Sequence, residues 1–99
     1  MSYLVFCTFG LKNATSRDYE TAYVDLQKIG LTKVHATDGG GKVVIPTTSV
    51  MGSFNGANAS NIRDDIRAKV KSAFAGRRFK SEIFVAVGGE NWGWGVAST

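Results

Sequence analysis

The residue types best suited to binding chemistry in this 99-residue chain are cations, and they cluster in one segment. Seven of the twelve lysines and arginines lie between positions 63 and 80. Arg63, Arg67 and Lys71 follow i, i+4, i+8 spacing, which places them on one ridge of a helix. A polyanion fits such a ridge, so the candidate nucleic-acid-binding residues are Arg63, Arg67, Lys71, Arg77, Arg78 and Lys80.

The same cations also have a simpler interpretation as a solvated helix face. In that case Asp64 pairs with Arg67 and Asp65 with Lys69, as ordinary surface ion pairs. Cations near the C-terminus of a helix are also expected from the helix dipole. The net charge of +4 permits a polyanionic partner without requiring one. Both interpretations stay open at this level.

The remaining polar residues do not combine at spacings that catalysis or metal binding needs. His35 has no cysteine or second histidine near it in the sequence. Asp64 and Asp65 are adjacent, so on a helix their side chains point about 100° apart. We therefore predict no catalytic residue, no metal ligand and no cofactor, and an enzyme is the less favoured class.

Composition and cysteine usage suggest where such a chain works. With 43% hydrophobic and 20% charged residues, it describes one small globular domain. The single cysteine, Cys7, forms no intramolecular disulfide, which fits a reducing cytoplasm. No secretory leader follows Met1, and no apolar run reaches the roughly 20 residues of a spanning helix. We expect a cytoplasmic protein without a membrane partner and with Cys7 as a buried small hydrophobe.

Two amphipathic helices are predicted to carry or flank these residues. The first begins at Thr15, with Asp18 completing a capping box, and closes at Gly30. The second is capped by one of the polar residues at positions 58, 60 and 61 and is predicted to end in a left-handed Gly76. Their apolar stripes are Tyr19, Ala22, Tyr23, Leu26 and Ile29 in the first helix and Ile62, Ile66, Val70, Ala73 and Phe74 in the second.

Four strands complete the prediction, at 3–9, 31–37, 43–54 and 83–87. The first and last are apolar on both faces, whereas the second alternates as an edge strand does. Pro46 disfavours pairing at its position, so the well-paired part of the third strand is placed at 47–53. The glycine-rich segment 38–42 is predicted to be a hairpin loop, although its three consecutive glycines are equally compatible with a poorly ordered tip.

The order β-α-β-β-α-β predicts an α+β, ferredoxin-like sandwich. Its four-stranded antiparallel sheet would carry both helices on one face, with the first and third strands central. This domain is placed at 1–89, followed by a C-terminal tail at 90–99 that holds both tryptophans.

The face of the sheet without helices is the main interaction surface in this prediction. Because two strands are apolar on both sides, this face would expose a contiguous patch, which monomers rarely tolerate. The tail, a second copy of the chain or stacked bases could cover it, and we favour a second copy. The residues predicted to pack in the dimer or under the tail are Tyr3, Val5, Phe84, Trp92 and Trp94.

Short stretches resemble a known family. They are Tyr3-Leu4-Val5-Phe6, Lys28-Ile29-Gly30, Thr47-Thr48-Ser49-Val50, Asn61-Ile62-Arg63-Asp64-Asp65-Ile66 and Ile83-Phe84-Val85-Ala86-Val87 followed by a tryptophan. Together they resemble the small ferredoxin-like proteins related to the CRISPR adaptation nuclease and to VapD-type toxins. The resemblance implies a homodimer whose sheets pack together. It also implies that nuclease-active members hold a divalent metal with an aspartate at the end of the first strand, where this sequence has Thr8.

The sequence therefore favours a homodimeric ferredoxin-like protein with an interaction or nucleic-acid-associated role and without catalysis. Two alternatives from other classes stay open. One is a metal-dependent endoribonuclease of the CRISPR adaptation or VapD-like type. The other is a regulatory sensor that binds a small ligand. An enzyme needs clustered acids in a cleft, a nucleic-acid binder needs a continuous basic face, and a sensor needs an enclosed pocket.

Overall fold

The computed structural model describes residues 1–36, 39–45, 47–89, 93–97 and 99. Within these residues the elements are β1 (Ser2–Leu11), α1 (Ser16–Ile29), β2 (Val34–Ala36), β3 (Lys42–Val44), β4 (Ser49–Asn55), α2 (Ala59–Gly76) and β5 (Ser81–Gly88). The α+β class predicted from the sequence is confirmed. None of the described helices is both long enough and apolar enough to cross a membrane.

The main sheet is antiparallel and three-stranded, with β1 in the centre and the order β4-β1-β5. Cys7 shows the register, because it lies opposite Val50 on β4 and Val85 on β5. Side chains alternate along a strand, so Val5, Cys7 and the other odd-numbered residues of β1 share one side. Both Val5 and Cys7 are fully buried there.

The second predicted strand does not become a full member of this sheet in the described part of the chain. Thr32 and Met51 exchange two backbone hydrogen bonds of 2.9 Å, and the chain then leaves β4. β2 pairs with β3 instead, in a separate two-stranded antiparallel sheet. The predicted third strand is therefore divided into β3 and β4, with the buried Ile45 between them. Pro46, which the sequence marked as disfavouring pairing, lies outside the described residues.

The starts of both helices and the end of the first follow the sequence prediction. Thr15 and Asp18 form the capping box, with hydrogen bonds of 3.0 and 3.2 Å between side chain and backbone. Gly30 closes α1 in the left-handed conformation, at φ 107°. Asn58 caps α2, since its Oδ1 accepts a 2.8 Å hydrogen bond from the Asn61 N–H. These caps satisfy backbone groups that a helix end leaves without partners.

Both helices pack on the same side of the sheet. One cluster of buried residues joins them to the strands: Val5, Cys7, Phe9, Ala22, Leu26, Leu31, Val50, Ile62, Ile66, Val70 and Phe74. Phe9 links the two helices, with its ring centroid 5.7 Å from Tyr23 and 5.3 Å from Phe74. Each large apolar side chain buried in this way contributes about 1.5–3 kcal/mol. The packing fixes the end of α2 beside the loop that follows β1.

Candidate interaction surfaces

The outward side of α2 carries cations that are mostly paired with aspartates of the same helix. Asp64 Oδ1 accepts hydrogen bonds from Arg63 Nε at 3.0 Å and from Arg67 Nη2 at 3.3 Å. Lys69 Nζ lies 3.0 Å from Asp65 Oδ2. The predicted surface pairs are therefore confirmed. Because these side chains are exposed, the pairs stabilise the fold little, and they reduce the net positive charge of the ridge.

Arg77 is engaged across the two helices rather than along the ridge. Its Nε and Nη2 donate to the two carboxylate oxygens of Asp25 on α1, at 2.9 and 3.1 Å. This bidentate geometry is the strongest form of such a pair. The hydrogen bonds from Arg77 lower the pKa of Asp25, whose side chain is only 11% exposed. Arg77 thus joins the end of α2 to α1.

α2 ends in a Schellman motif at Arg78, so the prediction of a left-handed Gly76 is wrong. The Phe79 N–H donates to the Phe74 carbonyl, and the Arg78 N–H donates to the Ala75 carbonyl, each at 3.0 Å. The rings of Phe74 and Phe79 lie 5.9 Å apart, which is the apolar contact that accompanies this motif. That contact places the left-handed residue, at which the chain reverses direction, two residues after Gly76. Arg78 consequently adopts φ 61°, which costs a non-glycine residue roughly 1–2 kcal/mol.

The turn after α2 lies against the loop after β1 and forms a basic hollow. The Lys12 N–H donates a 2.8 Å hydrogen bond to the Lys80 carbonyl, which ties the two segments together. The hollow has a volume of about 360 Å³, and its lining includes Lys12, Arg77, Arg78 and Lys80. We call it the basic hollow. Sequence reasoning missed Lys12, because nothing in its neighbourhood signals a contact with a residue 68 positions away.

The helix-free side of the sheet is apolar and partly open. Leu4, Phe6 and Thr8 of β1 lie on this side, opposite to the side of Cys7. Phe84 on β5 pairs with Thr8 and is 60% exposed. An exposed phenylalanine beside other apolar strand residues marks a contact surface more than an isolated exposed side chain does.

The described part of the tail covers one half of this side. Trp94 lines a hollow of about 210 Å³ together with Phe6 and Met51. Its ring also lies 6.2 Å from the ring of His35. Trp94 is 43% exposed, so it is partly packed. The tail therefore lies over the β4 half of the face, and Phe84 on the β5 half is left exposed.

Two residues predicted to pack in the dimer or under the tail face the helices instead. Val5 is fully buried in the core, and Tyr3 packs against the same core. Both are odd-numbered residues of β1, and strand alternation directs them to the side of the helices. Of the predicted packing residues, Phe84 and Trp94 remain on the helix-free side. Trp92 lies outside the described residues.

Thr8 stands where the family resemblance implies a metal-binding aspartate. Its hydroxyl donates a 3.0 Å hydrogen bond to the Thr48 carbonyl and brings no negative charge. Across the residues that the structure describes, no three His, Cys, Asp or Glu side chains gather where they could hold a metal ion. Asp64 and Asp65 are engaged in the ion pairs of α2.

Two further side chains, those of Cys7 and His35, could in principle do chemistry. Cys7 is free and buried, and its burial raises the pKa of the thiol to about 11. A thiol with so high a pKa is a poor nucleophile near neutral pH. His35 Nε2 lies 2.7 Å from the backbone oxygen of Thr32. Cys7 is thus a small core hydrophobe, as expected from the sequence.

A further hollow lies between α1 and the start of β2. Its volume is about 410 Å³, and its lining includes Tyr23, Val24, Lys33 and Val34. The Lys33 ammonium lies 4.4 Å from the centre of the Tyr23 ring, in a cation–π contact. Val24 and Val34 are 53% and 43% exposed, so this is an open groove. A sensor for a small ligand would need a more enclosed space.

No protein-family model matches this chain, and a search of curated proteins finds no match.

Proposed function

We propose that this chain is a homodimeric, ferredoxin-like binding protein that works without catalysis. The observation that carries the proposal is Phe84, which is 60% exposed on the helix-free side of the sheet. A second copy related by a two-fold axis presents the same surface, so each Phe84 is covered by the partner. Complete burial of one phenylalanine contributes about 1.5–3 kcal/mol.

The position of the tail supports a contact on the β5 half of the sheet. Trp94 already lies over the β4 half, next to Phe6 and Met51. At the start of β5, Lys12 Nζ and Glu82 Oε1 lie 3.7 Å apart and are exposed. An apolar centre with a charged rim is the usual composition of a protein interface.

The ferredoxin-like arrangement and the cytoplasmic location are parts of the same proposal. The bridge between Thr32 and Met51 supports the former, because it pairs one residue of the second predicted strand with β4, whose other neighbour is β1. The free, buried Cys7 supports a reducing compartment. The relationship to the CRISPR adaptation nuclease and VapD-type toxins stays a prediction. Of the properties that this resemblance implies, the proposal includes the dimer in which the two sheets pack together.

Light scattering at micromolar concentration tests the dimer. The expected mass is twice the 10.6 kDa of one chain. A single species at the mass of one chain would refute the dimer. The tail would then have to cover the helix-free side of the sheet.

Nucleic-acid binding is the second candidate, and the basic hollow favours it. Arg78, Lys80 and Lys71 have no ion pair among the described residues, in contrast to Arg63 and Arg67. With roughly three to four phosphate contacts per chain, binding should be weak and insensitive to sequence. Its log–log dependence on salt should have a slope of roughly −0.7 to −0.9 per phosphate neutralised.

A gel shift and a cleavage assay on the same labelled strands test this candidate. We expect a shift that weakens steeply with salt, and strands that stay intact with Mg²⁺ or Mn²⁺. Cleavage that depends on metal and persists in Asp64→Ala and Asp65→Ala variants would support the endoribonuclease alternative. If no shift occurs at any salt concentration, the cations of α2 form an ordinary solvated helix face and do not bind nucleic acid.

A further inference from the structure

The basic hollow brings together cations from two segments that are distant in the sequence. Lys12 comes from the loop after β1, whereas Arg77, Arg78 and Lys80 come from the turn after α2. The hydrogen bond from the Lys12 N–H to the Lys80 carbonyl, 2.8 Å long, keeps these segments in register. The backbone therefore holds the two segments that carry these four cations side by side.

The acids near this group neutralise only part of its charge. Arg77 is paired with Asp25, and Lys12 makes a longer contact of 3.7 Å with the exposed Glu82. Asp18 also lines the hollow and adds a negative charge there, with its carboxylate held by the Thr15 N–H of the capping box. Arg78 and Lys80 have no ion pair within the described part of the chain. A concave surface with excess positive charge concentrates anions.

The backbone at Arg78 gives a second, independent reason to assign a binding role here. This residue occupies the position of the Schellman motif where glycine is strongly preferred, at φ 61°. Asn13, which also lines the hollow, is left-handed as well, at φ 53°. Asparagine tolerates this conformation, whereas arginine does not favour it. The motif requires a left-handed residue at this position but not an arginine, so the arginine is explained when its side chain has a function.

We propose that the basic hollow binds a phosphoryl oxyanion through Arg78 and Lys80, with Lys12 at its rim. Arginine presents a planar fork of donors that matches phosphate oxygens, and lysine adds a mobile point charge. A volume of about 360 Å³ accommodates a phosphoryl group together with part of the molecule that carries it. The ligand class is a phosphate ester with a terminal phosphate, either at the end of a nucleic-acid strand or on a free small molecule.

This inference deepens the nucleic-acid candidate of the preceding subsection and rests on it only for the source of the phosphate. The ridge of α2 would contact internal phosphates without preference. The hollow would instead add a preference for a strand that ends in a phosphate.

The test is an NMR titration of the full chain with inorganic phosphate, with sodium chloride at the same ionic strength as the control. We expect phosphate, and not chloride, to shift the amides of Lys12, Asn13, Arg78 and Lys80.

Arg78→Gly should melt about 3 °C higher, because it relieves the left-handed arginine. The same variant, and Lys80→Ala, should bind phosphate about tenfold more weakly. Lys42→Ala, which removes a cation from β3 outside the main sheet, should bind as the wild type does.

A second arm compares a 5′-phosphorylated oligonucleotide with the same strand lacking that phosphate. We expect tighter binding of the phosphorylated strand, and we expect Arg78→Gly to abolish the difference. Phosphate shifts at the hollow without binding of either strand would support the hollow with a small-molecule ligand and would overturn the nucleic-acid candidate. A different outcome is that both strands bind equally, with a salt dependence that Arg78→Gly does not change. That result would refute phosphate binding at the basic hollow and would still support nucleic-acid binding. Equal effects of phosphate and chloride on the hollow amides would also overturn the inference.

Discussion

Gly52 offers a sharp test of how β4 docks on the end of α1. Gly52 pairs with Val5 on the helix-facing side of the sheet. A Cβ atom built at Gly52 lies 2.1 Å from the Gly30 carbonyl oxygen and 3.0 Å from Cε2 of Phe54. An ordinary C···O contact is about 3.3 Å, so Gly52→Ala requires a displacement of more than about 1 Å. The obstructing atom belongs to the backbone, and no side-chain rotation relieves the clash.

The size of the effect follows from this geometry. Overpacking in a core costs typically 1–3 kcal/mol, and we place Gly52→Ala near the upper end, at about 3 kcal/mol. For a domain of this size each kcal/mol shifts the Tm by about 4–8 °C, so the expected fall is roughly 12–24 °C. Gly76→Ala is the matched control, because its Cβ meets nothing within 4 Å and the position is helical. That control should raise stability by up to about 1 kcal/mol.

Thermal melts followed by circular dichroism, with urea unfolding for the free energy, provide the measurement. If Gly52→Ala melts within about 2 °C of the wild type, the close approach of β4 and α1 is not as described here. A destabilising effect of Gly76→Ala would contradict the described end of α2.

Three further outcomes follow from the same structure. Cys7, with a thiol pKa of about 11, should resist iodoacetamide at pH 8 in the native state and react fully in urea; rapid native labelling would contradict its burial. Because the pKa of Asp25 is lowered in the folded state, its carboxylate stabilises the fold at pH values above the ordinary pKa of 3.8, and this stabilisation is lost as the pH falls through the lowered pKa. Asp25→Asn should therefore lower the Tm at pH 7, and should lower it less below pH 3.8. Removal of residues from Glu90 onward should lower the Tm or dissociate the dimer, because Trp94 packs beside Phe6; unchanged melting and mass would show that the tail is an appendage.

The sequence predicted those features that depend on local pattern. The Thr15 capping box, the end of α1 at Gly30 and the apolar stripes of both helices are confirmed, because residues three or four apart decide them. The central place of the first strand is also confirmed, and its apolar character on both faces predicted it.

The features that the sequence did not reveal depend on contacts between distant residues. Asp25 and Arg77 are 52 positions apart, and nothing near either of them marks the pair. The end of α2 is set by the packing of Phe79 on Phe74, which outweighed the preference for a left-handed glycine. The predicted edge strand separates from β4 after Thr32, which alternation alone does not specify, whereas the antiparallel pairing of β2 with β3 agrees with the predicted hairpin.

The exposed Phe84 is the observation on which the central claim depends, so its replacement is the most direct test. Light scattering at equal micromolar concentrations should compare the wild type with Phe84→Lys and Val24→Lys. The two residues are 60% and 53% exposed, but Val24 lies on α1, away from the helix-free side. We predict a dimer for the wild type and for Val24→Lys, and a folded monomer with wild-type circular dichroism for Phe84→Lys. A Phe84→Lys protein with the same dimeric mass as the wild type would contradict a dimer formed through this face.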